Sequence, residues 1–539
     1  MKKVIMFLLF VCLVAAFAAC GRGEVDFVPA YQIVVDLDAP HTPEVGANLT
    51  LPLTTETVEF TIWAVAEAAQ EAIPLTFLHD SEYFQELTRR TGVSLRFIHP
   101  PAGAGQENFN LMVAAGDYTD VIQAMGVVYP GGWSQAIVDG LIIDVTDLSI
   151  RYAPYYWQAI HRCDDTRRQA FTDDGKLTGF HQIAVPQPPW IGMTTRQDWL
   201  DDLGLATPVT FDDWEHALTL FRDVKGADAP LMLPQSGFPL FNIFQGGFNT
   251  AQAFLQIDGV VHFGPLMPGF RDYLELMHRW FTMGLIDPDF MARPFTLTSP
   301  QDMTTTGRAG LWTDVYVSLP QNRVISPDPN FRSVAVPAPV RYPGQTIHMH
   351  QMNTLIMANQ MWMIARYHPD AVLFTRFMNY IYSPEGALHA NFGIEGFTFN
   401  FDETGTPQLT AHMYNHPTLT LPQALRMYTR GPAGAFYMDW RRELTPGIDP
   451  DVIEAPDIWA SNVDFAWLMP PTTLNAEEGM ENTRIMNDVN THRDEMVVRF
   501  ITGAESFDNW DDFINTMLHM GIERAIEIQQ GALDRYFAR

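Results

Sequence analysis

Val58-Glu59-Phe60-Thr61-Ile62-Trp63-Ala64 alternates polar and apolar residues and is rich in β-branched and aromatic side chains, so it reads as a strand with one face on a core. A helical pattern follows from Glu82 to Thr91 and stops at Gly92. The strand alternation resumes at Val93-Ser94-Leu95-Arg96-Phe97-Ile98, and helices continue to alternate with short apolar runs such as Val121-Ile122. That rhythm predicts α/β layering with largely parallel sheets. A chain of 539 residues is longer than one core usually serves, so two or more domains are expected. There is no internal repeat of fixed period.

One helix is legible in detail. In Pro208-Val209-Thr210-Phe211-Asp212-Asp213-Trp214, Thr210 stands at the N-cap with Asp213 three residues on, so each side chain can accept from an otherwise orphaned backbone donor. Phe211, Trp214, Leu218 and Phe221 then fall on one face, which places Trp214 in a core. A similar start recurs at Ser506-Phe507-Asp508-Asn509-Trp510.

The N-terminus sets the compartment. Lys2 and Lys3 precede an apolar run from Val4 to Ala19 that ends Phe17-Ala18-Ala19-Cys20. This is the layout of a secretory signal, and the run is short for a membrane span. Small residues running directly into cysteine resemble a bacterial lipobox, which makes 1–19 the signal and Cys20 the lipid attachment point; Phe17 stands where that pattern prefers leucine. Residues 20–55, rich in Pro, Gly, Asp and Thr, read as a flexible spacer to the globular body. Removing the signal makes a chain of net charge -30 more acidic still, which opposes binding to nucleic acid or an anionic membrane surface. No later apolar run is long enough to span a bilayer, so the expected location is the outer face of the cell membrane, held by lipid only.

Motifs for chemistry are absent: there is no phosphate loop, nucleophile elbow or H-E-x-x-H. The Asp pairs at 164–165, 173–174, 201–202, 212–213 and 511–512 are adjacent in sequence, so their side chains diverge and read as caps, turns and solvated faces rather than an acid/base pair. His348 and His350 would share a face if they lie on a strand, but no third ligand accompanies them, and Asp173-Asp174-Gly175-Lys176 offers too few oxygens for calcium. No catalytic residue, metal or cofactor is assigned, and Cys163 reads as a buried small apolar group. Aromatic residues are plentiful, with 13 Trp, 17 Tyr and 36 Phe. Several sit near Gly or Pro, as in Tyr129-Pro130-Gly131-Gly132-Trp133 and Pro188-Pro189-Trp190. Sugar rings present flat C–H faces, so aromatic platforms with a few polar groups are what a glycan site needs.

Thr195-Arg196-Gln197-Asp198-Trp199-Leu200-Asp201-Asp202-Leu203-Gly204-Leu205 resembles extracellular solute-binding protein family 1, and more closely its LipO-type lipoprotein branch. Matching segments follow in order: Arg90-Thr91-Gly92-Val93, Gly116-Asp117-Tyr118-Thr119-Asp120 (with Thr119 where the family's turn has Pro), Gly284-Leu285-Ile286-Asp287-Pro288, Gly307-Arg308-Ala309-Gly310, Gly393-Ile394-Glu395-Gly396 and Phe500-Ile501-Thr502-Gly503. The resemblance implies a type II periplasmic-binding fold of two α/β lobes around a hinged ligand cleft. Lobe I would take 56–185 with 345–400, and lobe II 190–340 with 405–539.

It also implies capture of a small solute, most readily an oligosaccharide, by a monomer that serves ABC permease subunits. A surface sensor of the same fold and a secreted glycan hydrolase are the competing readings. The ligand-binding set expected on this basis is Trp63, Trp133, Trp190, Trp312 and Trp467 for stacking, two or three of which should serve. Asp120 would accept from hydroxyls, Glu395 would face the cleft from a Gly-flanked loop, Asp314 joins the set, and Arg196, at the lobe junction, would meet a hydroxyl pair or a uronate. The plainer roles are an N-cap for Asp120, an inter-lobe salt bridge for Arg196 and a hinge hydrogen bond for Glu395.

Overall fold

The computed structural model describes residues 49–65, 77–101, 103–184, 189–234, 237–238, 240–293, 299–348, 356–419, 421–430, 434–443 and 449–539. Cys20 and His350 lie outside them. Along the chain the strands are β1 (Val58–Trp63), β2 (Val93–Ile98), β3 (Val121–Gln123), β4 (Phe180–Ile183), β5 (Ile191–Arg196) and β6 (Phe254–Ile257). They continue with β7 (Val260–Phe263), β8 (Leu311–Val315), β9 (Ser333–Ala335), β10 (Ile356–Ile364), β11 (Phe399–Phe401) and β12 (Pro407–Leu409). The chain divides into two compact units: among the described residues, unit 1 takes 49–184, 356–443 and 535–539, and unit 2 takes 189–348 and 449–534.

Unit 1 is built on a sheet ordered β2-β1-β3-β10-β4. β1 runs parallel to β2 and β3, while β10 runs antiparallel to β3 and β4. Phe60 and Ile62 of β1 are fully buried, with Leu95 and Phe97 opposite them on β2. The helix between these strands, Glu82–Thr91, starts at Ser81, whose hydroxyl accepts from the Phe84 amide. It ends at Gly92, whose φ of 75° is the left-handed turn that Cβ-bearing residues avoid. The helix Ala371–Tyr382 packs Phe374, Phe377 and Ile381 into the core, with Phe374 edge-on to Phe60 at 5.7 Å.

Two segments depart from the expected boundaries. Composition places residues 49–54 in the spacer, yet Leu49, Leu51 and Leu53 pack on the unit 1 core, and the Leu53 amide donates to the Thr91 carbonyl at 2.8 Å. Residues 405–443, expected in the second lobe, belong to unit 1. There the Ile183 amide donates to the Phe436 carbonyl at 2.9 Å, and the Met438 amide donates to the Ile183 carbonyl at 2.7 Å, which extends the β4 edge. The last residues return to unit 1 as well, with Asp173 accepting from Arg535 and Arg539 at 2.8 Å each.

Unit 2 holds a three-stranded sheet, β8-β5-β9, and a hairpin, β6-β7. Its pairings are antiparallel, not the parallel ladder that the rhythm predicts. Among the described residues parallel pairing occurs there as single bridges, such as those from Leu231 to Ile286 and to Leu311. Pro230 and Pro234 bracket Leu231, and a proline has no amide to donate to a longer ladder. The capped helix Phe211–Asp223 is as read: the Thr210 hydroxyl accepts from the Asp213 amide at 3.1 Å, and the Asp213 carboxylate accepts from the Thr210 amide at 2.9 Å. With Pro268–Thr282 and Ala476–Thr502 it encloses a core that includes Trp214, Trp280, Phe270 and Phe500.

Candidate ligand-binding groups

In unit 1, Trp63 ends β1 and is only 5% exposed, its ring 5.6 Å from Phe109. It is a core residue, because the strand alternation that buries Phe60 and Ile62 leaves its bulk against the helix Gly105–Ala115. Asp120 does not cap a helix. Its carboxylate accepts from the Thr61 amide at 2.7 Å and from the Thr61 hydroxyl at 2.8 Å, which ties β1 to the start of β3. Thr119 secures the same turn: its hydroxyl donates to the Val121 carbonyl at 2.7 Å and accepts from the Trp63 amide at 3.2 Å. Trp133 is different. It opens the short helix Gly132–Val138, is half-buried, and stacks with Tyr129 at 6.3 Å, whose hydroxyl donates to Asp139 at 2.7 Å. Glu395 is exposed on the turn from Gly393 to Phe399.

Unit 2 separates its candidates as sharply. Trp312 is fully buried in β8, and its indole N–H donates to Asp314 at 3.2 Å. Asp314 is 1% exposed and also accepts from the Val315 amide and the Asn322 side chain. Arg196 is 1% exposed, holds Asp198 through two nitrogens and Asp328 through one, and has its guanidinium carbon over the Trp199 ring at 4.4 Å and the Phe331 ring at 4.5 Å. Trp467 remains half-buried, 4.8 Å from the ring of His348, which pairs with Asp464 at 3.0 Å. His348 sits in a bend rather than on the strand expected for it; β10 begins at Ile356.

Trp190 is half-buried immediately before β5. The strand is held there by Gly192, against whose Cα the Trp459 indole lies so closely that an added Cβ would come within 2.5 Å of the ring. Beside Trp190, ring to ring at 6.3 Å and 68°, stands Phe241, a residue that nothing in the sequence singles out. Phe241 has φ 55° and ψ 38°, and Asn242 follows it at φ 55°. The left-handed region costs a Cβ-bearing residue about 1–2 kcal/mol, which makes Phe241 a strained position.

Residues 78–388 match the family of bacterial extracellular solute-binding proteins. The chain belongs to that family. A fructooligosaccharide ABC transporter substrate-binding protein, FusA of Streptococcus pneumoniae, is 22% identical over 488 residues, 84% of this chain and 87% of that one. Among solved structures, an HMO-binding, ABC-transporter-associated solute-binding protein of Bifidobacterium longum infantis superposes with TM-score 0.70 at 15% identity, over 90% of this chain and 99% of that one. The alginate-binding protein AlgQ2 superposes with TM-score 0.67 at 20% identity, over 89% and 99%. The two-lobed α/β fold is therefore that of the solute-binding proteins.

Within this solute-binding protein, Trp63, Trp312, Asp314 and Arg196, all expected to meet the ligand, are buried in the structure. The Trp312 indole and the Asp314 carboxylate meet each other, and the ion pairs of Arg196, to Asp198 and Asp328, lie within unit 2. Apart from Arg484, every arginine and lysine described in unit 2 is engaged in an ion pair. Among the described residues no group of three His, Cys, Asp or Glu side chains could hold a metal ion, and no helix is long and apolar enough to cross a membrane.

Burial pushes the Asp314 carboxyl up to about 6, against hydrogen bonds from Ser318, Val315, Trp312 and Asn322 that favour its charged form. A carboxyl raised on folding stabilises the fold below its ordinary value of 3.8 and loses that contribution as pH rises to about 6. The loss is on the order of 3 kcal/mol. Stability of unit 2 should therefore decline across that window in denaturant titrations, and Asp314→Asn should flatten the decline; an unchanged pH profile in the variant would assign it to another group.

Proposed function

We propose that this protein captures a neutral oligosaccharide outside the cell and passes it to the membrane subunits of an ABC importer. Family membership carries the reading, and similarity to the fructooligosaccharide-binding relative over most of both chains supports the glycan class. The half-buried tryptophans, Trp133 in unit 1 and Trp190 and Trp467 in unit 2, are the platforms that class requires, with Glu395 exposed and able to meet a hydroxyl. Net charge supports neutrality. A uronate would approach a chain of net charge -30 in which most cations of unit 2 are already paired with carboxylates.

The protein works as a monomer tethered through lipid on Cys20, binding without a catalytic step. The mass of the mature N-terminus checks the lipid. Calorimetric titration of the globular chain against fructooligosaccharides, milk-type oligosaccharides, oligouronides and peptides tests the class, with product analysis on the same samples. Binding confined to neutral glycans, with no cleavage, is the expected result. Binding of oligouronides alone, or of peptides, overturns it.

A further inference from the structure

The oddest backbone in unit 2 surrounds a partly buried aromatic ring. Phe241 is bulky and sits in the left-handed region, where asparagine or glycine is normally found, and Asn242 continues in the same conformation. The residues after this turn anchor it firmly. Ile243 and Phe244 are fully buried, the Asn242 side chain accepts from the Gln252 amide at 3.0 Å, and the Gln345 side chain donates to the Gly247 carbonyl at 2.8 Å. The surroundings thus enforce the turn whatever side chain stands at 241. Phe241 and its neighbour Trp190 are both only partly buried, so each keeps some ring surface open to solvent.

We propose that Phe241 and Trp190 form an aromatic corner that receives the C–H face of one residue of the captured oligosaccharide. The inference rests on the oligosaccharide reading and adds to it a ligand-contacting residue and its geometry. At 6.3 Å and 68° the two rings are edge to face, so they offer two walls at a steep angle rather than one flat platform. A sugar ring laid on one wall is bounded by the other, which discriminates by shape among neutral glycans of similar polarity. Strain retained at a position that glycine would relieve is what a contact residue shows when its ring is needed for something other than folding. Nearby, the Gln245 side chain is fully buried, and neither its amide oxygen nor its nitrogen has a hydrogen-bond partner among the described residues.

The experiment compares Phe241→Gly, Phe241→Tyr and Trp190→Ala with the parent protein, using the neutral glycan that the parent binds best in the panel. Phe241→Gly should weaken binding by about tenfold or more while the unfolding midpoint of the ligand-free protein stays level or rises. Phe241→Tyr should keep most of the affinity, and Trp190→Ala combined with Phe241→Gly should lose less than the product of the single losses. Affinity within twofold of the parent for Phe241→Gly overturns the corner. So does a Phe241→Gly protein whose midpoint falls while the affinity of its folded fraction is intact, since the ring would then serve packing alone. A parent that binds no neutral glycan at all removes the oligosaccharide reading, and this inference with it.

Discussion

Arg196→Ala should lower the unfolding free energy of unit 2 by about 3–5 kcal/mol and leave sugar affinity, per folded molecule, unchanged. Removing the guanidinium takes the paired cation from the Asp198 carboxylate, which is 12% exposed and then keeps the Arg332 amide at 3.2 Å, and removes the group between Trp199 and Phe331. The contact with Asp328 adds less, because that carboxylate is 41% exposed and water screens it. Denaturant unfolding followed by calorimetric titration of the surviving fold reads both quantities. Lost affinity in a protein of normal stability would restore the ligand role that the sequence suggests for Arg196. Arg196→Lys should recover little, since an ammonium cannot grip Asp198 through two nitrogens.

Trp459→Ala should cost a similar amount, about 3–5 kcal/mol, but here affinity should fall as well. The indole is buried over Gly192, and its N–H donates to the Met193 carbonyl at 2.8 Å, so it fixes the first residues of β5. Trp190 lies directly before that strand, and a loosened strand spreads its ring over many positions. Gly192→Ala reaches the same defect from the other side, because the new methyl displaces the indole, at a cost of about 1–3 kcal/mol. A loss of stability with intact affinity in both variants would show that Trp190 does not touch the ligand.

Much of the fold is legible in the sequence because its determinants are local. β1, β2, the helix from Glu82 to Thr91 and the Thr210 cap are each specified by a few adjacent residues, and the structure has them where the pattern puts them. The features that escape a sequence reading depend on distant partners. Residues 405–443 join unit 1 through bonds to Ile183, and no local pattern announces a pairing across more than two hundred residues. The parallel register of unit 2 fails at Pro230 and Pro234, where the interrupting signal is in the sequence itself. The candidate site is legible in kind more than in membership. Trp312 sits in Leu311-Trp312-Thr313-Asp314-Val315, whose alternation is that of a strand, and strand residues in a two-sided core are buried. Phe241 carries no signal, because nothing about a phenylalanine foretells a positive φ.

The committed cations of unit 2 also bear on how fast a ligand arrives. With most basic side chains of unit 2 tied to carboxylates and a large acidic surplus over the chain, the net field around the protein is negative. A neutral glycan has no net charge for that field to act on. Its association rate should hold constant from about 0.01 M to about 1 M salt, a range over which the screening length shrinks from about 30 Å to about 3 Å. An oligouronide would behave otherwise, arriving slowly at low salt and faster as the repulsion is screened. Stopped-flow traces at two salt concentrations would therefore reveal the charge class of the natural cargo before its identity is known.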